Sequence, residues 1–333
     1  MLSSFRKFRL AFALLLVMAV ANSLVAQKLV AQKVLQPEPQ RGEKMVPDGT
    51  GNAVLVPDND SKQKVRGPNG INYHGGPVLQ GNPVPIYLIW YGTWTNVTGS
   101  DTMATVNLVE HYVNSLGNTP YEKINSTYTD TTGSVSGNVT LGGAIFDTGS
   151  QGTGLNNTAL SAIVTRSFSN GLPTDPNGVY LVLTSSNVSE QGFCSSFCGF
   201  HTHQTLNGTD IKWGFIGNPD RCPSGCEIQT TGPNSPATGV GGADGLINVL
   251  THEQEEAISD PDLNAWFDKR GQENADKCNF NFGATQTCSS GSLCSAAGNS
   301  AGAQFNQSFG NNNWMIQQNW ENANGGGCVQ HFP

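Results

Sequence analysis

Residues Thr251–Asp262 read THEQEEAISDPD, and the residue types that open this run are those of metal chemistry. His252 and Glu253 begin it as in a His-Glu-x-x-His helix, where two imidazoles bind zinc and the intervening glutamate takes a proton from water. Glu256 stands where the second histidine would be. Residues four apart on a helix share a face, about one turn apart, so His252 and Glu256 can hold one ion, and a carboxylate oxygen is an acceptable zinc donor. Glu253, about 100° further round the helix, is read as the general base. An anionic ligand reduces the positive charge that bound water feels, so such a site works at higher pH than a histidine-rich one. Zinc is the expected ion, with Mn2+ or Ca2+ as the alternatives that a carboxylate-rich site accepts. A third donor is sought among the acids that follow. Asp260 sits in the turn at the helix end, Asp262 lies ten residues after His252, and Glu273 and Asp276 lie 17 and 20 residues after Glu256. The bland alternative is a helix whose acids face solvent.

Two other stretches carry chemistry-bearing residues. In CGFHTH, His201 and His203 alternate, so a strand would put both on one face; a structural histidine beside a disulfide is the competing and preferred reading. Asp147–Ser150 is Asp-Thr-Gly-Ser, the aspartic-protease motif, but no second copy exists to share its proton. Here it is read as turn chemistry after a strand.

These residues need a compartment and a scaffold. Arg6, Lys7 and Arg9 precede an 11-residue apolar run, Ala11–Ala21, too short to span a bilayer, and small residues follow. Residues 1–26 therefore read as a cleaved signal peptide, and the mature protein is expected to be secreted, extracellular or periplasmic, with no stable membrane span. Eight cysteines, Cys194, Cys198, Cys222, Cys226, Cys278, Cys288, Cys294 and Cys328, then read as disulfides, with the first four paired among themselves. Only 13% of residues are charged and the net charge is −8, which argues against nucleic acid as partner; an extracellular peptide or a cell-wall component fits better. Eight Asn-x-Ser/Thr sequons become glycans only in a host that glycosylates.

LVAQK occurs twice in tandem, at Leu24–Lys28 and Leu29–Lys33, and residues 27–70, in which Pro, Gly, Asp and Lys then dominate, read as a disordered linker or pro-segment. A single domain is expected over 71–333. VPIYLIWYG (Val84–Gly92), GVYLVLTSS (Gly178–Ser186) and IKWGFIG (Ile211–Gly217) are apolar runs bounded by breakers and read as strands. Asp101–Gly117 and Ala159–Phe168 read as helices, and Asp244–Ser259 as a third, with Asp244 as its N-cap. WMIQQNW (Trp314–Trp320) reads as a late strand. The mixture gives an α/β or α+β class with a mixed sheet and a zincin-like metal-site helix.

The stretch NYHGGPVLQGNPVPIYLIWYGTW (Asn72–Trp94) resembles the start of the phosphate-induced protein 1, or EXORDIUM-like, family. The resemblance continues at FCSSFCGFH, GFIGNPDRCPSGC, SDPDLNAWF and ENADKC, covering Asn72 to Cys278. It implies export and, for plant members, association with the cell wall. The plant pattern lacks the His-Glu pair, so the chain resembles a bacterial-type branch carrying His-Glu-x-x-Glu. In that branch Glu256, Asp260 and Asp276 fall within the shared motif, which favours Asp276 over Asp262 as third ligand. Two readings follow. One is a secreted zinc-dependent, peptidase-like hydrolase with metal ligands among His252, Glu256, Asp276 and Asp260 and Glu253 as base. The other is a non-catalytic extracellular or cell-wall-associated protein with a structural metal or none.

Overall fold

The structure is a computed structural model and describes residues 43–47, 53–57, 70–234, 242–289, 294 and 302–333. The expected signal peptide, residues 1–26, and most of the expected linker lie outside these residues. Within the linker, Glu43–Pro47 and Ala53–Pro57 pair as antiparallel strands, where the sequence reading expects no structure.

The run VPIYLIWY becomes the first strand of a five-stranded sheet, β1 (Val84–Tyr91). Its partners are β2 (Val139–Asp147), β3 (Val179–Thr184), β4 (Gly199–Leu206) and β5 (Thr209–Ile216), in the order β2-β1-β3-β5-β4. The first four in that order are parallel, and β4 closes the edge antiparallel to β5. Parallel strands are covered on both faces and so read as continuous apolar runs; Ile86, Leu88, Ile89, Trp90 and Tyr91 are all fully buried.

Helix α1 (Met103–Leu116) links β1 to β2, and α2 (Asn157–Ser169) links β2 to β3. These crossovers run in opposite directions along the sheet, so right-handed connections put the two helices on opposite faces. Thr102, not Asp101, caps α1, accepting from the Thr105 amide. Asp101 instead ties the Ser186 amide and hydroxyl at the ends of the strands. Asp147 accepts from the Gly149 and Ser150 amides, so Asp-Thr-Gly-Ser is the expected turn.

Helix α3 (Gly242–Ser259) packs against α1 and across β3, β5 and the edge strand β4. Only His252 among its 18 residues is not buried outright, which excludes a solvent-facing row of acids. Asp244 lies inside the first turn rather than capping it, and accepts from the Asn234 side chain at 3.0 Å. Close approach to the edge strand depends on Gly199: a Cβ there would lie 2.7 Å from Val249 Cγ1 and 2.8 Å from Glu253 Oε1.

All eight cysteines are paired: Cys194–Cys222, Cys198–Cys226, Cys278–Cys328 and Cys288–Cys294. The first two staple the loops around β4 and β5 as two parallel bridges. The WMIQQNW stretch falls across the ends of two short strands, Asn312–Trp314 and Asn319–Glu321, in place of one continuous strand. Between them the Gln317 side chain turns inward to bond groups under α3. Among the described residues no helix is long and apolar enough to cross a membrane.

Candidate metal centre

The last two turns of α3, the edge strand β4 and the 268–279 loop meet at one buried cluster. The helix repeat brings His252 Nε2 to 3.1 Å from Glu256 Oε1. Asp276 arrives from the loop, with Oδ1 3.4 Å from the same imidazole nitrogen. Its position is held by its own amide, which donates to Glu256 Oε1 at 2.9 Å, and by the Glu273 amide, which donates to Asp276 Oδ2. Asn274 anchors the loop beneath, donating to Asn125 Oδ1 and to the Glu255 carbonyl. Two donors on one tetrahedral zinc, each at 2.0–2.1 Å, stand about 3.3 Å apart; His252 Nε2 stands at such separations from Glu256 and from Asp276, while the three do not form one converging group of ligand atoms.

The orientation of His252 follows from its neighbours. Gln317 donates its Nε2 to the Ala275 carbonyl at 2.8 Å, and its backbone amide is tied to Asn248. That leaves Gln317 Oε1 as the group facing His252 Nδ1, at 3.4 Å. A carbonyl oxygen can only accept, so the hydrogen-bond network assigns a proton to Nδ1 and turns the Nε2 position toward two carboxylates. Burial opposes a charged imidazole, but Glu256, Asp276 and Glu253 outweigh it and hold the His252 pKa well above its ordinary value. The pocket thus demands positive charge at Nε2, from a proton or from a cation.

Glu253 is not swung clear of this face as a simple helical projection suggests: one of its oxygens lies within 4.8 Å of the ligand atoms of His252 and Glu256. Burial raises its pKa to about 8; the neighbouring His252 works against this rise and Glu256 adds to it. A carboxyl poised between proton acceptor and donor near neutrality is what a general base requires.

The sequence treated His201 and His203 as one pair, and the structure separates them. His201 joins the cluster from β4, with Nε2 3.0 Å from Glu273 Oε2 and 3.8 Å from Glu256 Oε2. His203 belongs to a half-exposed ion network with Asp210, Asp262 and Lys212. Asp262 is therefore drawn away from the centre, and Lys212 already balances it. Asp260 is close by but engaged otherwise: its Oδ1 accepts from the Asn264 and Ala265 amides at 2.7 and 2.6 Å, locking the chain reversal after α3. Asp260 and Asp276 are both absent from the groups of three converging donors among the described residues, which are His252–Glu253–Glu256, His201–Glu256–Glu273 and His203–Asp210–Asp262; Asp276 meets the His252 nitrogen at 3.4 Å without joining such a group. Glu273 is raised well above the ordinary range, first by burial and then by Glu256, Asp260, Asp276 and Glu253. The chain reversal also joins two motifs distant in sequence, since Ala265 accepts from the His74 amide and His74 stacks on Phe267 at 3.6 Å.

Residues 71–330 match a family described as the phosphate-induced protein 1 conserved region. The chain is similar to Protein EXORDIUM-like 5 of Arabidopsis thaliana, 33% identical over 222 residues, which cover 59% of each chain. It is also similar to Protein EXORDIUM-like 3 of the same plant, 31% identical over 236 residues, covering 62% of this chain and 68% of the relative. No solved structure matches.

Proposed function

The chain belongs to the phosphate-induced protein 1 family, and from the cluster at the end of α3 we propose that it is an exported, metal-dependent hydrolase acting on peptides. Export is supported by the four disulfides, which form in oxidising compartments, and by the EXORDIUM-like relatives. The observation that carries the metal is the fixed tautomer of His252. With Nδ1 held by Gln317, a neutral imidazole points its Nε2 lone pair at two carboxylate oxygens. That arrangement calls for a positive charge among the three atoms, which a divalent cation would supply as a coordination shell. Imidazole with carboxylates favours zinc, and Mn2+ suits the same donors; Ca2+ prefers a shell of oxygens only.

His252 Nε2, Glu256 Oε1 and Asp276 Oδ1 are the ligands in this reading. Zinc held there supplies Lewis acidity to a substrate carbonyl and lowers the pKa of water. The protein's own residues do the rest. Glu253 takes the proton of the attacking water and returns it to the leaving amine. Gln317 keeps His252 in its ligating tautomer. The same reading makes the chain a branch of its family that uses His-Glu-x-x-Glu, distinct from the plant pattern.

The test is metal analysis of the exported, untagged protein together with digestion of a peptide library with and without chelator. A tightly held divalent ion should be lost in His252→Ala and Asp276→Ala and retained in Asp262→Ala, with cleavage following the ion. A protein carrying no ion overturns the reading. Full metal with no cleavage across peptides leaves a non-catalytic extracellular protein with a structural metal.

A further inference from the structure

We infer that the cluster is built for two divalent cations, with Glu256 as the bridge between them. This rests on the metal reading above and adds to it a second ion of the same class, Zn2+ or Mn2+, between His201 and Glu273.

Two of the converging groups share only Glu256: it stands with His252 and Glu253 on one side, where Glu253 is the base rather than a ligand, and with His201 and Glu273 on the other. The two oxygens of Glu256 divide accordingly, Oε1 toward His252 at 3.1 Å and Oε2 toward His201 at 3.8 Å. Each imidazole also has a carboxylate of its own, Asp276 for His252 at 3.4 Å and Glu273 for His201 at 3.0 Å. One ion cannot satisfy both halves: donors on one tetrahedral ion lie about 3.3 Å apart, and no single group contains both histidines. A syn-syn carboxylate bridge with one histidine on each side instead matches ions about 3.5–4 Å apart.

Charge points the same way. The ion-pair partners of Glu256, Glu273 and Asp276 among the described residues are the two histidines. The His201 side chain is only 3% exposed and aims Nε2 between two carboxylates, while Glu273 Oε1 is buried without a hydrogen-bond partner. A cation beside Oε2 would add to the charge compensation that this carboxylate otherwise takes from His201 alone.

The halves are not equivalent. His252 is oriented by Gln317, whereas His201 Nδ1 meets no acceptor. Loss of such an orienting partner typically lowers metal affinity about 10–100-fold, so the His201 ion is the weaker of the two.

The experiment is titration of the chelator-stripped, full-length exported protein with Mn2+, followed by equilibrium dialysis and electron paramagnetic resonance. Two equivalents should bind, the second about 10–100-fold more weakly. Its arrival should replace the six-line signal of an isolated Mn2+ by the broadened spectrum of an exchange-coupled pair. His201→Asn and Glu273→Gln should each lose the weak equivalent and the coupling while keeping the tight one, which also shows that the variants are folded. Binding of a single equivalent, or a weak equivalent that survives both substitutions, overturns the two-ion site and leaves the hydrolase reading standing. Absence of any tight equivalent overturns both.

Discussion

The disulfide Cys278–Cys328 offers a test that links stability to the metal centre. Cys278 ends the short helical turn that Asp276 begins, and its partner lies 50 residues on. Cross-linking stabilises chiefly by restricting the unfolded chain; for a loop of this size the chain-entropy relation gives about 4 kcal/mol. Cys288–Cys294 closes a loop of sequence separation 6, for which the same relation gives about 2 kcal/mol. It sits in a small separate core with Ala303 and Phe305. The perturbation is the pair of double variants, Cys278→Ala/Cys328→Ala and Cys288→Ala/Cys294→Ala. At about 2 °C per kcal/mol for a domain of this size, their Tm values should fall by about 8 °C and about 4 °C respectively. The measurement is made by calorimetry on metal-stripped protein, because bound ion would stabilise the wild type by mass action. Only the first variant should also weaken metal binding, since only it frees the turn bearing Asp276. Equal shifts for the two variants, or an unchanged metal affinity in the first, would refute this link between staple and site.

Other outcomes follow from particular contacts. Glu122 and Glu255 are buried on the far side of α3, with Gln254 and Asn319 donating to their outer oxygens. Burial raises Glu122 from 4.5 to about 7, and burial together with Glu122 raises Glu255 well above its ordinary value. A carboxyl whose folded pKa is raised contributes stability below its unfolded pKa and loses it as pH climbs through the folded value. Glu122→Gln should therefore recover about 3 kcal/mol at pH 8 relative to pH 5, at 1.36 kcal/mol per pKa unit, and an unaltered pH dependence of urea unfolding would contradict this. Gly199→Ala places a Cβ 2.8 Å from both Glu253 Oε1 and the Phe215 carbonyl. Peptide cleavage should fall while the tight metal site is kept, and equal cleavage would show that Glu253 is not held by the edge strand. Glu256→His, which restores a second imidazole, should move the acid limb of the kcat/KM profile to lower pH because a less anionic ligand set makes water more acidic; a limb that stays in place would count against Glu256 as a ligand.

What the sequence made legible was local. The apolar run of β1, the helix α1 and the four-residue spacing of His252 and Glu256 each follow from a period that a single segment carries. Export implied paired cysteines, and the 194–226 group pairs within itself, although its connectivity had to come from the fold. Long-range placement was not legible. His201 reaches Glu256 only because β4 doubles back antiparallel along β5 and α3 lies over that edge, and nothing in CGFHTH distinguishes it from His203. Gln317 is 65 residues from the imidazole it orients, inside a segment whose apolar residues suggested a plain strand. Asp260 and Asp244 show the complementary limit: an acid in the right place in sequence is spent on backbone amides or an asparagine once the chain turns.

The most direct test of the central claim is peptide cleavage by Glu253→Gln in its metal-loaded form beside the wild type. Glutamine keeps the shape of the side chain and cannot take a proton from water. Metal content and Tm should be retained while kcat/KM falls by about 10²-fold or more, the usual weight of a general base. Equal cleavage by the two proteins would contradict it.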